Sequence, residues 1–441
     1  MQQVNLGMMG GGTVGSGVFH AWQKNGGLMA ARLGVKISFR KIAVKAFDEP
    51  RPYPIPRALM TTDWQVVVND PDIHVVIELV GGTGIAKVMV LAALAQGKTV
   101  VTANKAFISA CGPELFAAAA KHGANLYYEA SVCGGIPIIK SLREGFVANQ
   151  FSAIYGIVNG TCNYILTRMK QEGAEFANVL ADAQQQGYAE TPPDLDIDGI
   201  DAQHKTGILA SLAHGFWVDH HAIHTEGIRE ISKIDMQFAQ QLGYTIKLLG
   251  IVKKVESRKQ KAEKNSGVQV SVYPTLIPNA HVLASVNGVF NACFVRGDVV
   301  GDTLFYGRGA GKDATASAVL SDVADAALDL KNGGKVRVQP YVAHAKHGRV
   351  MPMDEIVSRY YVRLSVVDKP GVLAKISAIL AAAKIGISSV VQPEGHEGES
   401  VPLILMIHDA PNAAMTKALA KIAKLPALKA KPVMIRVESF E

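Results

Sequence analysis

The stretch Gly187–Lys205 (GYAETPPDLDIDGIDAQHK) places several acidic side chains ahead of a single lysine, an arrangement that packing alone does not require. Pro192 and Pro193 exclude a helix through its first part, because proline lacks an N–H group and clashes with the preceding turn. An amphipathic pattern then predicts a helix from Gly199 to about Trp217. On that helix Asp201 and Lys205 occupy positions i and i+4 and share one face.

Two interpretations of this stretch differ in chemistry. The simpler one is an acid-rich loop followed by a surface ion pair, which is a common and weak feature. The other is a polar pocket that binds a small zwitterion and moves a proton. In either case Asp196 or Asp198 can cap the helix. The acids concerned are Glu190, Asp194, Asp196, Asp198 and Asp201.

A glycine-rich turn near the start of the chain suggests a nucleotide site. Residues Val4–Met9 have the composition of a buried strand, and GGGTVGSGV follows before an amphipathic helix. Gly10, Gly12 and Gly15 match the G-x-G-x-x-G pattern in the strand–turn–helix context that a dinucleotide site requires. The alternative is a glycine-rich turn that binds no ligand.

Lys45 follows the second predicted strand, Val35–Val44. An NAD-selective site usually has an acidic residue there for the ribose 2′-hydroxyl, whereas a lysine favours a 2′-phosphate. A lysine with a cofactor role here therefore favours NADP, or use of both cofactors, and the alternative is an exposed lysine at a strand end with no such role.

Further βα units place polar residues at strand ends. Thr102, Asn104 and Lys105 follow the strand in KTVVTANKA, and ligands of open α/β sheets bind beyond such ends. We expect Gly307–Gly311, followed by a helix over Thr315–Leu330, to return the chain to the same crevice; the alternative is a simple loop. The glycines and small residues of ASVCGGIP, after a strand at Asn125–Glu129, indicate a closely approached backbone.

The predicted class is α/β, with several domains because 441 residues exceed one ordinary core. A Rossmann-type dinucleotide-binding domain covers about residues 1–140 and is completed by about 305–330. An α+β domain for substrate binding and dimerisation covers 141–304. A linker at 331–355 precedes a small βαββαβ module at 356–441.

Composition argues against several other classes. The net charge is +7, but the basic residues are dispersed, and the dense run Lys253–Lys264 also carries glutamates, so we expect a solvated hairpin tip and no nucleic acid. No apolar run approaches the ~20 residues of a membrane span, and no signal peptide is expected. The four cysteines lack disulfide or metal spacing, which favours the cytoplasm. We interpret His220, His221 and His224 as surface residues.

Several motifs, in order across about residues 4–325, resemble those of homoserine dehydrogenase. They are GGGTVGSGV, VVTANKA, EASVCGGIPII, GIVNGTCNYIL, GYAE with DIDGIDAQHK, and GRGAG with TASAV. The C-terminal module resembles an ACT domain, an amino-acid-sensing fold, with DKPGVL at Asp368–Leu373 as its first-loop signature. The arrangement is similar to the monofunctional bacterial enzyme, which has no kinase domain ahead of it.

The resemblance implies reversible NAD(P)H-dependent reduction of L-aspartate 4-semialdehyde to L-homoserine, in threonine and methionine biosynthesis. It implies that Lys205 donates the proton, that Lys105 helps to position the reacting end, and that Glu190 holds the substrate ammonium with support from Asp196 and Asp201. Adjacent charges would tune a lysine donor towards the operating pH. The cofactor-binding residues implied by motif and resemblance together are Gly10, Gly12, Thr13, Val14, Gly15, Lys45, Thr102, Lys105, Gly187 and Gly311.

The resemblance also implies a sodium ion held by the backbone carbonyls of Glu129, Val132, Gly134 and Ile136. An ACT domain implies an amino-acid effector, with threonine expected, and pairing of these domains implies a homo-oligomer. Pro192 and Ala314 depart from the residues usual in the family, which bears on loop shape rather than on chemistry.

Two alternatives remain at the level of sequence. A phosphorylating semialdehyde dehydrogenase needs a nucleophilic cysteine beside a base, and none of the four cysteines has that setting. A non-catalytic sensor would use the dinucleotide and ACT domains for binding alone.

Overall fold

The computed structural model describes residues 2–255, 267–334, 336–345, 348–393 and 399–440. Most of the predicted hairpin tip at Lys253–Lys264 lies outside these ranges. The chain forms two compact units. The first comprises Met1–Val158, Gln203–His221 and Phe290–Arg349, and the second Asn159–Ala202, Ala222–Val289 and Val350–Glu441. Within the described ranges, no helix is both long enough and apolar enough to cross a membrane.

Strands and helices alternate over the first part of the chain and lose this rhythm later. The strands are β1 (Gln2–Met9), β2 (Val35–Ala43), β3 (Met60–Thr61), β4 (Val75–Glu78), β5 (Thr99–Thr102), β6 (Leu126–Tyr127), β7 (Phe151–Ile157), β8 (His224–Thr225), β9 (Tyr244–Val255), β10 (Gly267–Pro278), β11 (Phe290–Gly297), β12 (Gly301–Arg308), β13 (Val357–Val367), β14 (Ile387–Val391), β15 (Ser400–Pro411) and β16 (Val433–Val437). The helices are α1 (Thr13–Leu33), α2 (Gln65–Asn69), α3 (Ile85–Ala95), α4 (Lys105–Lys121), α5 (Ile138–Lys140), α6 (Gly160–Glu172), α7 (Phe176–Gln185), α8 (Asp194–Ile197), α9 (Ile200–His214), α10 (Lys233–Gln241), α11 (Lys312–Lys331), α12 (Val372–Ala382) and α13 (Asn412–Ile422).

The first unit contains a parallel sheet with strand order β3-β2-β1-β4-β5-β6. Its central strands are buried, as strands covered by helices on both faces must be. Helix α11 packs against α1 and contributes Val319 and Val323 to the same apolar core. The predicted Rossmann-type sheet is confirmed, and α11 begins at Lys312, earlier than the predicted Thr315. The same unit also contains β7, β11 and β12, which pair antiparallel in the order β12-β11-β7.

The second unit contains a mixed sheet with strand order β9-β10-β16-β13-β15-β14. Strands β9 and β10 form a long antiparallel pair. Elements β13 to β16 with α12 and α13 give the predicted βαββαβ order. On β13 the alternate residues Tyr360, Val362, Leu364 and Val366 are buried against the two helices, which is the period of a strand covered on one face.

Lys247 is a buried lysine on β9 that ties α6 to a neighbouring loop. Its Nζ donates to the Asn163 side chain on α6 at 2.9 Å, to the Val286 carbonyl at 2.5 Å and to the Asn287 side chain at 3.3 Å. Burial, and secondarily the charge of Lys170, lowers the pKa of Lys247 to about 7. A charged ammonium in this buried position therefore destabilises the folded state, and the destabilisation disappears once the group loses its proton.

We predict that this lysine gives the free energy of unfolding a positive slope with pH. Between a folded pKa of about 7 and the ordinary value of 10.5, the unfolded chain binds a proton that the folded chain has lost, so stability rises with pH. The slope is about 1.4 kcal/mol per pH unit. Urea unfolding of the wild type and of Lys247→Met from pH 7 to 9.5 should show a growing difference in favour of the wild type.

Lys253→Met is the matched control, at a partly exposed position of the same strand. It should keep the wild-type slope. A constant difference between the wild type and Lys247→Met across this pH range would show that Lys247 stays charged in the folded protein.

Candidate active site

The acid-rich stretch contains two helices separated by a glycine. The one-turn helix α8 covers Asp194–Ile197, and α9 begins at Ile200. Gly199 lies between them with φ +83°, a left-handed conformation that favours glycine. The short helix α8 was not predicted, whereas the placement of Asp201 and Lys205 on one helix is confirmed.

Asn159 joins two of the predicted substrate-binding acids. Its amide nitrogen donates to Asp196 at 2.7 Å and to Asp201 at 2.9 Å, and its amide oxygen accepts the N–H of Cys162 at 2.8 Å as the N-cap of α6. Asn159 is 5% exposed and Asp201 is 8% exposed, so the Asp201 carboxylate depends on protein donors rather than on water. Sequence reasoning quoted this asparagine within a motif but gave it no role. Its place before a helix is the signal of an N-cap.

Lys205 contacts the residue that precedes Asn159. Its Nζ donates to the carbonyl of Val158 at 2.8 Å, and the side chain is 8% exposed. Val158 directly follows β7, so the end of this strand fixes the position of the ammonium group. Consecutive residues, Val158 and Asn159, thus hold the lysine and the two acids respectively.

Glu190 and Gly187 lie in the exposed part of the stretch. The Glu190 carbonyl accepts from the Gln184 side chain at 3.1 Å, and the Tyr188 carbonyl accepts from Thr161 at 2.6 Å. Helices α6 and α7 therefore hold the backbone of this loop, while the Glu190 side chain remains open to solvent and to a ligand.

Asp194 and Asp198 were interpreted as loop and capping residues, and their carboxylates instead bind an arginine. Arg229 Nε and Nη2 donate to the two oxygens of Asp198 at 2.5 and 2.9 Å, and Nη2 also binds Asp194. The arginine lowers the pKa of Asp198, with its hydrogen bond as the main cause. Arg229 thus fixes both ends of α8, the helix that carries Asp196.

The glycine turn of the first unit has the geometry of a dinucleotide site. A Cβ on Gly10 would lie 2.6 Å from the Leu79 carbonyl oxygen, and a Cβ on Gly15 would lie 2.0 Å from the Gly10 carbonyl oxygen. A Cβ on Gly12 would meet no atom within 4 Å, so this side of the turn is open. Thr13 and Val14 form the first turn of α1, which carries no acidic residue, and a helix N-terminus of this kind suits a pyrophosphate.

Gly311 lies against the same helix. It has φ +106° and is the N-cap of α11, and a Cβ on Gly17 of α1 would lie 3.0 Å from the Lys312 carbonyl oxygen. The chain therefore returns to this helix at Gly311, as expected.

The other wall of the crevice depends on Glu78, another residue that sequence reasoning missed. Its buried carboxylate accepts the N–H groups of Val80 and Gly81 at 2.8 and 3.1 Å and the Thr102 hydroxyl at 2.6 Å. Thr102 is fully buried, so its side chain shapes the strand ends and is not available to contact a cofactor.

Lys105 is the first residue of α4, and Asn104 is the N-cap of that helix. The Asn104 side chain accepts the N–H of Phe107 at 3.2 Å and donates to the Gly82 carbonyl at 2.6 Å. Asn104 thereby ties the start of α4 to the loop after β4 and sets the position of Lys105.

Lys45 is exposed two residues beyond β2. This fold places the ribose of a bound dinucleotide near the end of that strand. Arg57 provides a second cation after the same strand, with its Cζ 3.3 Å from the Phe47 ring centroid. The Arg57 side chain is 63% exposed, and its Nη1 lies 3.9 Å from the exposed Asp48 carboxylate, so the guanidinium is accessible but already has one acid beside it.

The predicted ion-binding turn is buried and held by an acid network. The Glu129 carboxylate accepts the N–H groups of Ile139 and Lys140 at 3.0 and 2.7 Å, while its own N–H donates to Asp322 at 2.8 Å. Burial raises the pKa of Glu129 to about 7, and it raises the pKa of Asp322 well above its ordinary value. The network fixes the turn through its backbone.

The carbonyl groups of this turn can accommodate a hard cation. Those of Glu129 and Ile136 each accept one N–H, from Val132 at 3.4 Å and from Ile138 at 2.8 Å, and a carbonyl oxygen has a second lone pair. Gly134, at φ +36°, packs so closely on Gly309 that a Cβ would lie 2.7 Å from its carbonyl oxygen. The carbonyl oxygens of Glu129 and Ile136 therefore each keep the capacity for a second contact, and oxygen is the ligand type that a hard cation prefers.

The cysteines nearest this turn are not activated nucleophiles. Cys133 and Cys293 are buried with their Sγ atoms 3.6 Å apart. The hydrogen bond from Cys133, and then burial, raises the pKa of Cys293, although the charge of Lys205 opposes the change. A nucleophilic cysteine needs thiolate character, so this setting argues against a phosphorylating dehydrogenase.

The histidines His220 and His221 lie in a short 3-10 turn rather than on a helix face. With Asp219 they bring possible ligand atoms within 4.8 Å of one another. His224 lies outside this group, on β8, and its Nε2 is 2.7 Å from the Glu226 carboxylate.

Comparison with known proteins identifies the families that these features resemble. Residues 10–129 match the family model of the homoserine dehydrogenase NAD-binding domain, residues 137–324 match that of homoserine dehydrogenase, and residues 360–424 match the ACT domain. The homoserine dehydrogenases of Pseudomonas aeruginosa and Neisseria gonorrhoeae are 41% and 40% identical to this chain, and each match covers 100% of both chains.

Solved structures give the same result. A homoserine dehydrogenase from Thiobacillus denitrificans matches with a TM-score of 0.92 and 40% identity over 100% of this chain and 99% of that one. A hyperthermophilic archaeal homoserine dehydrogenase in complex with NADPH matches with a TM-score of 0.61 and 26% identity over 74% of this chain and 98% of that one.

We predict that Asn159→Ala lowers the free energy of unfolding by about 2–4 kcal/mol. Loss of an N-cap accounts for about 1 kcal/mol, and the lost donor to two carboxylates, of which that of Asp201 is buried, accounts for about 1–3 kcal/mol. Urea unfolding followed by circular dichroism measures the change. Asn159→Asp keeps the cap oxygen but removes the donor and adds a charge. If Asn159→Asp were as stable as the wild type at neutral pH, the bonds to Asp196 and Asp201 would contribute nothing.

Proposed function

The chain belongs to the homoserine dehydrogenase family, and we propose that Lys205 is its catalytic proton donor and that Glu190, Asp196 and Asp201 bind the substrate. The reaction is the reversible NAD(P)-dependent reduction of L-aspartate 4-semialdehyde to L-homoserine. The observation that carries the residue assignment is the pair of contacts at the end of β7, where Val158 holds Lys205 and Asn159 holds Asp196 and Asp201.

Lys205 acts on the oxygen of the reacting carbonyl. When bound, the nicotinamide cofactor supplies the hydride that reduces the aldehyde carbon. The ammonium of Lys205 then gives a proton to the oxygen that becomes the alcohol, and in the reverse direction the neutral amine takes that proton. Its bond to the Val158 carbonyl orients the group without neutralising its charge. A low exposure to water favours direct proton transfer.

The acids provide the complementary charges for an amino-acid substrate. Glu190 is exposed on a loop with a fixed backbone and would pair with the substrate ammonium. Asp196 and Asp201, which share the Asn159 amide, would support Glu190 as further negative charges near the same ammonium. Lys105, at the start of α4, would position the reacting end of the substrate.

We predict that Lys205→Ala lowers kcat by about 10²–10⁴-fold, the usual contribution of a positioned acid or base. Cofactor affinity, measured by quenching of protein fluorescence with NADPH, should change little. Lys233→Ala, at a half-buried lysine outside the stretch, is the matched control and should retain full turnover. Undiminished turnover in a folded Lys205→Ala protein would disprove the assignment.

The same assay separates the enzyme from the alternative of a non-catalytic sensor. A sensor would bind NADPH and an amino acid but would not oxidise NADPH in the presence of L-aspartate 4-semialdehyde. Wild-type turnover therefore excludes that alternative before any variant is made.

We propose a preference for NADP over NAD. Lys45 and Arg57 are exposed cations beyond β2, and a charge-assisted bond to a 2′-phosphate contributes about 1.5–3 kcal/mol. We predict that Lys45→Glu lowers kcat/KM for NADPH about tenfold or more and leaves kcat/KM for NADH nearly unchanged. Lys36→Glu, at an exposed position near the other end of β2, should change neither value. Equal effects of Lys45→Glu on both cofactors would contradict the preference.

The remaining cofactor residues fit the same binding mode. Gly10, Gly12, Thr13, Val14 and Gly15 would line the pyrophosphate, and Gly311 would close the crevice from α11. Gly187 would approach the cofactor from the exposed loop. A sodium ion would be held by the carbonyls of Glu129, Val132, Gly134 and Ile136. Unchanged kcat after replacement of sodium chloride by choline chloride would argue against a role for the ion in turnover.

We propose that threonine regulates the enzyme through the ACT domain, that the protein forms a homo-oligomer, and that it works in the cytoplasm. A cavity of about 330 Å³ lies at the first-loop signature Asp368–Leu373, which supports ligand binding in this module. Light scattering of the full chain measures the oligomeric state, and a monomeric mass would refute that part of the proposal.

A further inference from the structure

Three consecutive side chains of the first unit have no role in the proposed reaction. Asp219 precedes a short 3-10 turn whose first residues are His220 and His221. Each of the three offers one possible ligand atom, and these atoms all lie within 4.8 Å of one another. We call this group the histidine turn.

The backbone of the histidine turn is fixed by hydrogen bonds to α9 and to its own aspartate. The Val218 N–H donates to the Ser211 hydroxyl of α9 at 2.9 Å, and that hydroxyl donates to the Gly207 carbonyl at 2.8 Å. The Asp219 carboxylate accepts the N–H of His221 at 3.0 Å. A ligand would therefore meet side chains that already stand on a rigid base.

The imidazole rings of this region pack in a row. The ring centroids of His220 and His221 are 4.0 Å apart, and those of His220 and His204 on α9 are 4.9 Å apart. The His220 side chain is 18% exposed, whereas Asp219 and His221 are exposed. His220 is thus supported from the side of α9, and the other two members of the histidine turn face solvent.

Two imidazoles and one carboxylate are a ligand set for a transition-metal ion. Imidazole nitrogen suits zinc, copper and nickel, whereas magnesium and calcium prefer oxygen ligands. A zinc ion with three protein ligands keeps a fourth position for water. The exposure of Asp219 and His221 leaves space for that water. The Nδ1 of His220 lies 3.7 Å from Asp219 Oδ1, which is too far for a hydrogen bond, so these two groups do not satisfy each other.

A bound ion requires only a small movement of the side chains. A zinc ion lies about 2.0–2.1 Å from a histidine nitrogen and about 2.0–2.2 Å from a carboxylate oxygen, so two of its ligand atoms are at most about 4 Å apart. The ligand atoms of the histidine turn lie within 4.8 Å of one another. Rotation of the exposed Asp219 and His221 side chains closes this difference while His220 stays against His204.

We propose that Asp219, His220 and His221 bind one divalent transition-metal ion of the zinc or nickel type. His204 is a positioning residue of this site, since its ring packs on His220 but it stands outside the group whose ligand atoms lie together. The bound ion holds the histidine turn against α9, the helix that also carries Lys205. Metal binding at this place does not depend on the proposed reaction.

Isothermal titration of the full chain with zinc chloride tests the site. The protein carries no affinity tag and is first freed of metal with a chelator, and sodium chloride in the buffer keeps the proposed sodium site out of the measurement. We expect one zinc ion per chain, and no competition from an excess of magnesium chloride. His221→Ala and Asp219→Ala should each raise the Kd about tenfold or more, because each removes a ligand. His122→Ala, at an exposed histidine of the same unit, is the matched control and should bind as the wild type does.

A pair of variants at His204 distinguishes a positioning residue from a ligand. His204→Phe keeps a ring against His220 but has no nitrogen, so it should bind zinc as the wild type does. His204→Ala removes the ring and should weaken binding. An equal loss in both variants would make His204 a ligand and overturn its positioning role.

Thermal unfolding followed by circular dichroism separates loss of the site from loss of the fold. Zinc chloride should raise the Tm of the wild type by several degrees, because the ion binds the folded chain. A folded His221→Ala protein should have the same Tm with and without zinc.

Two results would overturn the metal site. A wild-type protein that oxidises homoserine but takes up no zinc or nickel shows that the histidine turn is an ordinary surface cluster. If His221→Ala and Asp219→Ala bind zinc normally while Cys111→Ser does not, the ion is bound by the partly exposed Cys111 thiol instead.

Discussion

The positions of the proposed catalytic and substrate-binding groups depend on the short connection between β7 and α6. Val158 ends the strand with a carbonyl that accepts from Lys205, and Asn159 begins the helix with an amide that serves three partners. An N-cap is normally a local feature worth about 1 kcal/mol. Here the nitrogen of the same amide also orders two carboxylates, so the start of a helix and the geometry of the proposed substrate site are one constraint.

This arrangement resolves an electrostatic difficulty. Two carboxylates held close together repel each other. The neutral amide of Asn159 donates to both Asp196 and Asp201 and so holds the two acids side by side. One turn away Arg229 does the same for Asp194 and Asp198.

The sequence predicts well those features that repeat or that follow from a single residue type. The glycine turn, the parallel strands of the first unit and the order of the C-terminal module all follow from period, glycine placement and buried runs. Sequence also identified Asp201 and Lys205 as neighbours, because i and i+4 on a helix is a local relation. Local patterns fail where partners are distant in sequence. Arg229 is 31 residues from Asp198, and Asn159 is 42 residues from Asp201. Neither spacing has a periodic signature, and strand β12, whose residues are largely exposed, has no buried run to reveal it.

Burial is the other quantity that sequence did not provide. Thr102 was assigned to the cofactor from its place at a strand end, but its hydroxyl is turned to Glu78 inside the sheet. Only some of the residues at a strand end face the crevice, because alternate side chains of a strand point to opposite faces of the sheet.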